Sequence, residues 1–292
     1  MAMKIGFIGT GIMGKSMAGH LMAGGHAVQI YNRSRAKAED LLAQGATWFD
    51  SPTSLAAASD VIITIIGYPK DVEAIYLGPS GILQHAKKGC ITIDMTTSSP
   101  ELAKRIAAAG QERGIACLDA PVSGGDVGAR DAKLSIMVGG DASAYECVLP
   151  LFQLMGKTIA LLGPAGAGQH TKLCNQIVIA STIMGVCEGL IYAKTAGLDP
   201  LAVLNVIGAG AAGGVQLNVQ GPRMIQGDFA PGFMLEHFVK DMGLAITEAE
   251  RMGLKLPGLA QAKKLYDILM QQGQERTGYH ALFELYLRNE VT

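Results

Sequence analysis

Residues 4–31 read KIGFIGTGIMGKSMAGHLMAGGHAVQIY, and this stretch decides the fold of the first half of the chain. An apolar, β-rich run (KIGFI) is followed at once by a glycine-rich turn, then by a helical pattern, and then by a second β-rich run (AVQIY). Strand, turn, helix and strand in this order predict a βαβ unit with parallel strands. The turn has the form GxGxxG and consists of Gly9, Thr10, Gly11, Ile12, Met13 and Gly14.

Further β-rich runs alternate with helical patterns through the first half of the chain, which predicts that the sheet continues beyond the first unit. The runs VIITII and CITIDM are apolar on both faces, as expected where helices cover both sides of a parallel sheet. Two later runs flank a helical stretch, and we expect them to extend the same sheet. The predicted strands are residues 4–8, 27–31, 61–66, 90–95, 115–118, 134–138 and 158–162.

The glycine-rich segment GPAGAG at residues 163–168 interrupts this alternation, and beyond it the pattern is helical. We therefore predict a Rossmann-type α/β domain over residues 1–164 and an all-α domain over residues 165–292, joined by a long helix. This helix, residues 169–195, would be roughly 40 Å long and is apolar around most of its circumference. Such a surface must be buried, which predicts contact between domains or between the subunits of a homodimer or homotetramer.

The composition indicates a small-molecule ligand rather than a polyanion or a membrane. The 24 lysine and arginine residues balance 25 aspartate and glutamate residues, so no overall field would attract nucleic acid or an anionic bilayer. The five cysteines form no CxxC pair, which is untypical of a disulfide framework or a zinc site. The N-terminus MAMKIGFIG lacks the apolar segment of a signal peptide, and we expect a cytoplasmic protein.

The turn at residues 9–14 predicts a dinucleotide site. Its first glycine allows the tight turn, its second lets the backbone approach a pyrophosphate, and its third lets the helix pack closely on the strand. The second strand ends in Asn32, Arg33 and Ser34, where a site for NAD usually has an acidic residue. Because Arg33 can pair with a 2′-phosphate, NADP(H) is favoured and NAD(H) remains possible. The alternative is that Arg33 is a solvated loop charge.

Polar side chains at the start of the long helix predict the catalytic group. Lys172, Asn175 and Gln176 are spaced to lie on one face of that helix. Burial lowers the pKa of a lysine because it disfavours the charged form, and this would suit Lys172 to exchange a proton with a carbonyl or hydroxyl oxygen. The alternative is a lysine that extends its ammonium group to solvent at a helix end.

The segment DAPVSGG at residues 119–125 directly follows a predicted strand, at the edge of the sheet where ligands of α/β proteins bind. Ser123 and Gly124 can offer a hydroxyl and backbone N–H groups to a substrate carboxylate. An ordinary tight turn is the alternative interpretation.

Four motifs together resemble the β-hydroxyacid dehydrogenase family, which includes 3-hydroxyisobutyrate dehydrogenases, tartronate semialdehyde (2-hydroxy-3-oxopropionate) reductases and glyoxylate/succinic semialdehyde reductases. They follow one another in the family's order and cover essentially the whole chain. The motifs are GTGIMG at 9–14, DAPVSGG at 119–125, GAGQHTKLCNQ at 166–176 and KDMGLA at 240–245.

The resemblance implies that Lys172 is the catalytic acid/base. It also implies that the substrate carboxylate is bound by Ser123, Gly124 and Asn175. Gln176 stands where the family usually has a second asparagine, and we expect it also to contact the substrate, although its side chain is one methylene longer than the asparagine of the family pattern.

The resemblance also places two residues beside the nicotinamide. Thr96, in IDMTTSSP, matches a position that contacts both nicotinamide and substrate. Lys240 matches a position near the nicotinamide, and Asp241 is expected to hold the helix of this lysine in place.

The expected function is an NADP(H)-preferring oxidoreductase that interconverts a short, carboxylated semialdehyde or oxo acid and its hydroxy acid. One alternative is an imine reductase, since such enzymes look similar in the first domain and share an Asn-Arg cofactor loop, but they typically lack the lysine present here. Another is a non-catalytic NADP-binding module, which would be expected to have lost Lys172. No metal is expected.

Overall fold

The computed structural model describes residues 2–291 and divides into two compact units, one that ends at Lys172 and one that begins at Leu173. The division falls inside a long helix, α9 (Ala167–Thr195), eight residues beyond the domain boundary expected from the sequence. Each unit has a hydrophobic core of its own.

A parallel, six-stranded sheet is the centre of the first unit, with the strand order β3-β2-β1-β4-β5-β6. The prediction of a parallel sheet is confirmed, although strand ends shift by one or two residues and β3 is a short strand that the sequence pattern did not indicate. The strands are β1 (Lys4–Ile8), β2 (Ala27–Tyr31), β3 (Thr47–Trp48), β4 (Val61–Thr64), β5 (Ile91–Asp94) and β6 (Ala116–Asp119).

Both faces of this sheet are buried, as the apolar strands predict. Ile63 and Ile93 pack into one core cluster, and their neighbour Ile62 packs into the cluster on the opposite face. Alternate side chains of a strand point to opposite faces, so only strands apolar at every position can fill both clusters.

The expected extension of this sheet is wrong. Residues 134–138 and 156–161 form β8 (Leu134–Val138) and β9 (Gly156–Leu161), which belong with β7 (Val122–Ser123) to a separate three-stranded sheet. A single antiparallel bridge, Asp119 to Gly139, connects the two sheets. Strand periodicity is the same in both sheets, so the sequence pattern does not show which sheet a strand joins. The second sheet arises from the long-range pairing of β7 with β8.

The helices of the first unit cover the strands, and several begin at side-chain caps. Ser99 and Asp141 accept N–H groups from the first turns of the helices Pro100–Gln111 and Ala142–Gln153, respectively. The helices are α1 (Ile12–Ala23), α2 (Glu39–Ala43), α3 (Pro52–Ala58), α4 (Pro69–Leu77), α5 (Ile82–His85), α6 (Pro100–Gln111), α7 (Gly125–Arg130) and α8 (Ala142–Gln153).

The second unit is helical, which confirms the prediction of an all-α region, and between residues 173 and 291 the only β-pairing is an isolated bridge from Met234 to Gly278. Its core includes Phe238, Tyr266 and Leu269, all fully buried. After α9 the helices are α10 (Pro200–Ile207), α11 (Gly221–Gln226), α12 (Leu235–Arg251), α13 (Pro257–Gln271) and α14 (Leu282–Arg288), with a π-helical turn at Gln216–Gln220.

Helix α9 is less buried within one chain than its composition predicts. Only 39% of its most apolar 18-residue window is buried, and Val178 and Tyr192 are 59% and 75% exposed. By length and composition alone the helix could also cross a membrane, a test that core helices of this length pass as well. The expected burial of α9 is therefore incomplete in the single chain.

Candidate active site

The glycine-rich turn joins β1 to α1 in the way that the GxGxxG pattern predicts. Gly9 has a φ of +105°, a conformation that side chains with a Cβ rarely adopt. A Cβ added at Gly14 would lie 2.0 Å from the carbonyl oxygen of Gly9, so α1 can begin this close to the strand only if residue 14 is glycine. The turn is therefore closely packed, both within itself and against Ile65, whose carbonyl oxygen would lie 2.1 Å from a Cβ added at Gly9.

Two features of this turn fit a bound pyrophosphate. A Cβ added at Gly11 would meet no other atom of the described chain within 4 Å, so the packing of the protein itself does not require glycine there. The Oγ1 atom of Thr10 is buried and has no hydrogen-bond partner among residues 2–291. Open space and an available hydroxyl at the N-terminus of α1 suit an anion. Ile12 and Met13 form the first turn of this helix.

The loop after β2 contains the three residues expected to recognise the adenosine ribose. Asn32 accepts a hydrogen bond from the Thr10 N–H at 3.4 Å and donates one to the Ser34 carbonyl at 2.9 Å, so its side chain connects this loop to the glycine turn. Arg33 is exposed, and no residue of the described chain forms an ion pair or hydrogen bond with its guanidinium group. Nearby Arg35 instead pairs with Glu39 at 3.5 Å.

Thr96 lies just beyond β5 in a network of buried hydrogen bonds. Its Oγ1 accepts the Ile66 N–H at 3.0 Å, and its own N–H donates to Asp94 at 3.1 Å. Thr64 also donates to Asp94, at 2.8 Å. Burial raises the pKa of the Asp94 carboxyl to about 6, and the hydrogen bonds from Thr96 and Thr64 limit this rise. The loop that carries Thr96 is therefore attached to a buried acid.

Asp119, at the end of β6, holds the foot of α9, which we define as residues 166–172. One carboxylate oxygen accepts the Gly166 N–H at 2.7 Å, and the other accepts the Gln169 N–H at 2.8 Å. Burial raises the pKa of Asp119, and these backbone hydrogen bonds oppose the rise. Asp119 thus acts as the cap that α9 would otherwise lack, although it lies far from the helix in sequence.

Gln169 joins the foot of α9 to the Thr96 loop. Its side chain is fully buried, accepts the Ser98 N–H at 2.8 Å and donates to the Thr96 carbonyl at 2.8 Å. Lys172 follows one helical turn later and is only 6% exposed. The structure therefore brings the foot of α9, with Lys172, next to the loop of Thr96, and it does not place Lys172 at a solvated helix end.

Ser123 and Gly124 lie where β7 meets α7. Ser123 pairs with Ser135 in the second sheet and is partly buried. Gly124 and Gly125 have φ angles of +134° and +64°, so this turn depends on both glycines. A glycine-dependent turn of this kind is compatible both with the predicted carboxylate site and with an ordinary tight turn.

The other predicted residues form a cluster in the second unit. Gln176, on α9, donates to an Asp241 oxygen at 2.5 Å and accepts a hydrogen bond from Asn175 at 2.7 Å. Lys240 pairs with the second Asp241 oxygen at 3.0 Å and is 12% exposed at its side chain. Asp241 therefore contacts α9 through Gln176 in addition to its ion pair with the lysine beside it.

The sequence did not predict the roles of three side chains that hold the backbone of this region of the first unit, namely Asp94, Asp119 and Gln169. Asp94 and Asp119 are acidic residues at the ends of otherwise apolar strands, a signal that marked the edge of the sheet but not their partners. Gln169 lies inside the motif GAGQHTKLCNQ, but nothing nearby in sequence indicates that its amide binds residues 96 and 98. No group of acidic, histidine and cysteine residues within the described chain could hold a metal ion.

The chain matches two family models, one after the other. Residues 4–163 match the NAD binding domain of 6-phosphogluconate dehydrogenase. Residues 166–286 match the NAD-binding domain of NADP-dependent 3-hydroxyisobutyrate dehydrogenase. Together the two matches include both units and all four sequence motifs.

Full-length relatives and solved structures agree with these matches. An uncharacterised oxidoreductase of Bacillus subtilis is 52% identical over 99% of this chain and 100% of its own length. The 2-hydroxy-3-oxopropionate reductase of Escherichia coli is 40% identical over 97% of this chain and 96% of its own. The structure of Mycobacterium tuberculosis 3-hydroxyisobutyrate dehydrogenase with L-serine is 30% identical, covers 97% of this chain and 99% of its own, and has a TM-score of 0.89.

Proposed function

The chain belongs to the β-hydroxyacid dehydrogenase family and is an NAD(P)-dependent hydroxyacid dehydrogenase, and on this premise we propose that it interconverts a short semialdehyde and its hydroxy acid with Lys172 as proton donor and acceptor. The observation that carries the proposal is the burial of Lys172 at the foot of α9, where Asp119 and Gln169 hold the helix against the Thr96 loop. A lysine placed only for solvation would not be held in this way.

The proposed roles follow from the chemistry of the side chains. When bound, the nicotinamide supplies or accepts the hydride at the carbonyl carbon of the substrate. In reduction, Lys172 donates a proton from its ammonium group to the carbonyl oxygen, and in oxidation its neutral amine takes the hydroxyl proton. Ser123 and the Gly124 N–H bind the substrate carboxylate, with Asn175 as a further contact.

Thr96 and Lys240 are proposed to lie beside the nicotinamide ring. The Thr96 backbone is held by Asp94 and Gln169, so this residue is ordered before any ligand binds. Lys240 is held by Asp241. Side chains that are already oriented lose little conformational entropy on binding, which favours a defined geometry for hydride transfer.

Exchanging Lys172 tests the proposed function most directly. We expect Lys172→Met to lower kcat/KM for carboxylated semialdehydes by at least about 100-fold, because general acid–base catalysis is lost. Cofactor affinity, followed by fluorescence titration, should stay near that of the wild type. Lys194→Met, at the exposed end of the same helix, is the matched control. Near-normal turnover by Lys172→Met would refute the proposal.

The substrate that we favour is tartronate semialdehyde or a related small semialdehyde. The 40% sequence identity with the 2-hydroxy-3-oxopropionate reductase of Escherichia coli, over 97% of this chain, supports this choice. Rates for a panel of carboxylated aldehydes, hydroxy acids including L-serine, and one cyclic imine would rank the candidates. A marked preference for the imine would instead favour the imine reductase alternative, and cofactor binding with no turnover would favour a binding module.

NADP(H) is the proposed cofactor. Arg33 is exposed, has no ion-pair partner in the described chain, and follows a strand that ends without an acid, which together support a contact with a 2′-phosphate. We expect Arg33→Ala to weaken NADPH binding about tenfold or more and to leave NADH binding unchanged, because only the phosphate contact is lost. Equal losses for both cofactors would contradict this assignment.

We further propose that the chain forms a homodimer or homotetramer through the exposed face of α9. This face contains Val178, Gly185, Gly189 and Tyr192, so small residues between two larger ones would let a second copy of the helix approach closely. Light scattering should show that Val178→Lys lowers the oligomeric state, whereas the control Leu162→Lys, at an exposed site of the first unit, should not. An unchanged assembly in Val178→Lys would place the interface elsewhere.

The proposed compartment is the cytoplasm. All five cysteines are free thiols, which fits a reducing environment.

A further inference from the structure

Gln176 occupies the centre of a buried hydrogen-bond chain in the second unit. It is only 1% exposed, and both ends of its side-chain amide are in use. The nitrogen donates to Asp241 Oδ2 at 2.5 Å, and the oxygen accepts from Asn175 Nδ2 at 2.7 Å. The other Asp241 oxygen forms an ion pair with Lys240 Nζ at 3.0 Å but accepts no hydrogen bond within residues 2–291, so the hydrogen-bond chain runs from Asp241 through Gln176 to Asn175.

The negative charge of Asp241 determines which atom donates in both of these hydrogen bonds. A carboxylate can only accept, so Gln176 must turn its NH₂ group towards Asp241. Its carbonyl oxygen then faces Asn175, and Asn175 must turn its own NH₂ group towards Gln176. The orientation of the Asn175 amide is thus determined by Asp241, although the two residues share no hydrogen bond.

We infer that Gln176 is a positioning residue that transmits the polarity of Asp241 to Asn175, and that it is not a substrate contact. The inference rests on the proposed function, since Asn175 matters only if it meets the substrate. Asn175 lies one helical turn beyond Lys172. With one N–H used by Gln176, it offers the other N–H and its Oδ1 to ligands, in a fixed rather than a flipping orientation.

This role explains why a glutamine suits this position. An asparagine side chain is shorter by one methylene, about 1.5 Å. It could therefore not contact Asp241 and Asn175 at the same distances without movement of α9 or α12. The longer side chain of Gln176, which replaces the second asparagine of the family pattern, thus reaches Asp241 in this chain.

A structural bridge between α9 and α12 would be the simpler interpretation, and the two make different predictions. If Gln176 only bridges the two helices, any substitution of this residue should lower the stability of the protein. The inferred role, which we call the relay, depends on which atom donates each hydrogen bond. It therefore predicts that activity follows the protonation state of an ionisable residue placed at position 176.

The decisive variant is Gln176→Glu. Burial and the Asp241 carboxylate should raise the pKa of the new carboxyl group well above its ordinary value. Below that pKa the protonated acid can donate to Asp241 and accept from Asn175, and kcat/KM should approach that of the wild type. Above it two carboxylates face each other, and kcat/KM should fall at least about tenfold, as expected when an oriented hydrogen bond is lost. The wild type and the control Gln271→Glu, on an exposed glutamine of α13, should show only the pH dependence that all three proteins share, without this additional step.

Exchanging the acid and the amide between positions 176 and 241 should restore the activity lost in Gln176→Glu. In the double variant Gln176→Glu with Asp241→Asn, the new amide at position 241 can donate to the new carboxylate at position 176. That carboxylate can also accept from Asn175, so Asn175 keeps its orientation. We expect at least about tenfold higher kcat/KM than for Gln176→Glu alone at the alkaline end of the profile. A double variant no better than the product of the two single effects would overturn the relay.

Two further measurements keep the test decisive. Measured relative to the wild type at each pH, the thermal midpoint of Gln176→Glu should fall as pH rises through the raised pKa of the new carboxyl group, since a carboxyl whose pKa is raised on folding stabilises the protein only while it is protonated. This readout needs no substrate, so it separates failure of the relay from failure of the proposed function. If Gln176→Glu does not fold, Gln176→Met should raise substrate KM about tenfold without changing cofactor affinity, and an unchanged KM would overturn the inference.

Discussion

The glycine turn at residues 9–14 and the foot of α9 both hold a functional backbone in place, but they do so with different kinds of contact. In the turn, the positive φ of Gly9 and the 2.0 Å approach that a Cβ at Gly14 would make involve residues only a few positions apart. At the foot of α9, Asp119 and Gln169 form hydrogen bonds that span 47 to 73 residues of sequence.

The difference teaches how each region responds to change. A steric requirement for glycine is met or not met, and it does not depend on pH. A network of buried polar groups is lost bond by bond, and it contains titratable carboxyl groups whose pKa values respond to burial. Substitutions should therefore act abruptly in the turn and gradually at the foot of α9.

The largest effect is expected in the turn. Gly14→Ala should destabilise the protein by about 3 kcal/mol or more and abolish cofactor binding, because the new Cβ would overlap the Gly9 carbonyl. Gly19→Ala, on the same helix, is the control, since its Cβ would meet only Leu41, at 3.9 Å. It should be neutral or stabilising by up to about 1 kcal/mol. Urea unfolding and cofactor titration measure both, and similar behaviour of the two variants would remove the steric explanation.

The next effect concerns pH and the acid under the Thr96 loop. Burial raises the pKa of Asp94 to about 6, so the folded protein holds a proton there that the unfolded chain releases near pH 4. The resulting stability is present below pH 4 and is lost as pH rises to about 6, by up to about 3 kcal/mol. Asp94→Asn should flatten this slope in unfolding experiments between pH 4 and 7. An unchanged slope would show that other groups cause it.

The smallest of the three effects is expected at Gln169. Gln169→Met leaves the Ser98 N–H and the Thr96 carbonyl without their partner, which should cost about 2 kcal/mol of stability and lower kcat more than it changes cofactor affinity. Gln111→Met, at an exposed position of α6, is the control. If Gln169→Met lost stability but kept kcat, the bond to the Thr96 loop would matter for folding alone.

Much of the fold could be predicted because its signals are local. The strands β1 and β2 were predicted at their observed ends, and α9 was predicted to within two residues of its start. The second sheet was not predicted as such, because β7 has two residues and pairs with β8 only through the tertiary fold. Lys172, Asn175 and Gln176 were found from helical spacing, whereas the hydrogen bond from Gln176 to Asp241 joins helices 65 residues apart in sequence.

The sequence by itself determined the βαβ unit, the GxGxxG turn and the helical second half, because steric rules and hydrophobic periodicity depend on neighbouring residues. Through four ordered motifs it also indicated the side chains to which we assign the proposed chemistry. Only the tertiary structure decided that Asp94 is a buried acid, that Gln169 joins α9 to the Thr96 loop, and that Gln176 is hydrogen-bonded to both Asp241 and Asn175. Burial and hydrogen-bond partners come from residues distant in the chain, so these properties exist only once the chain has folded.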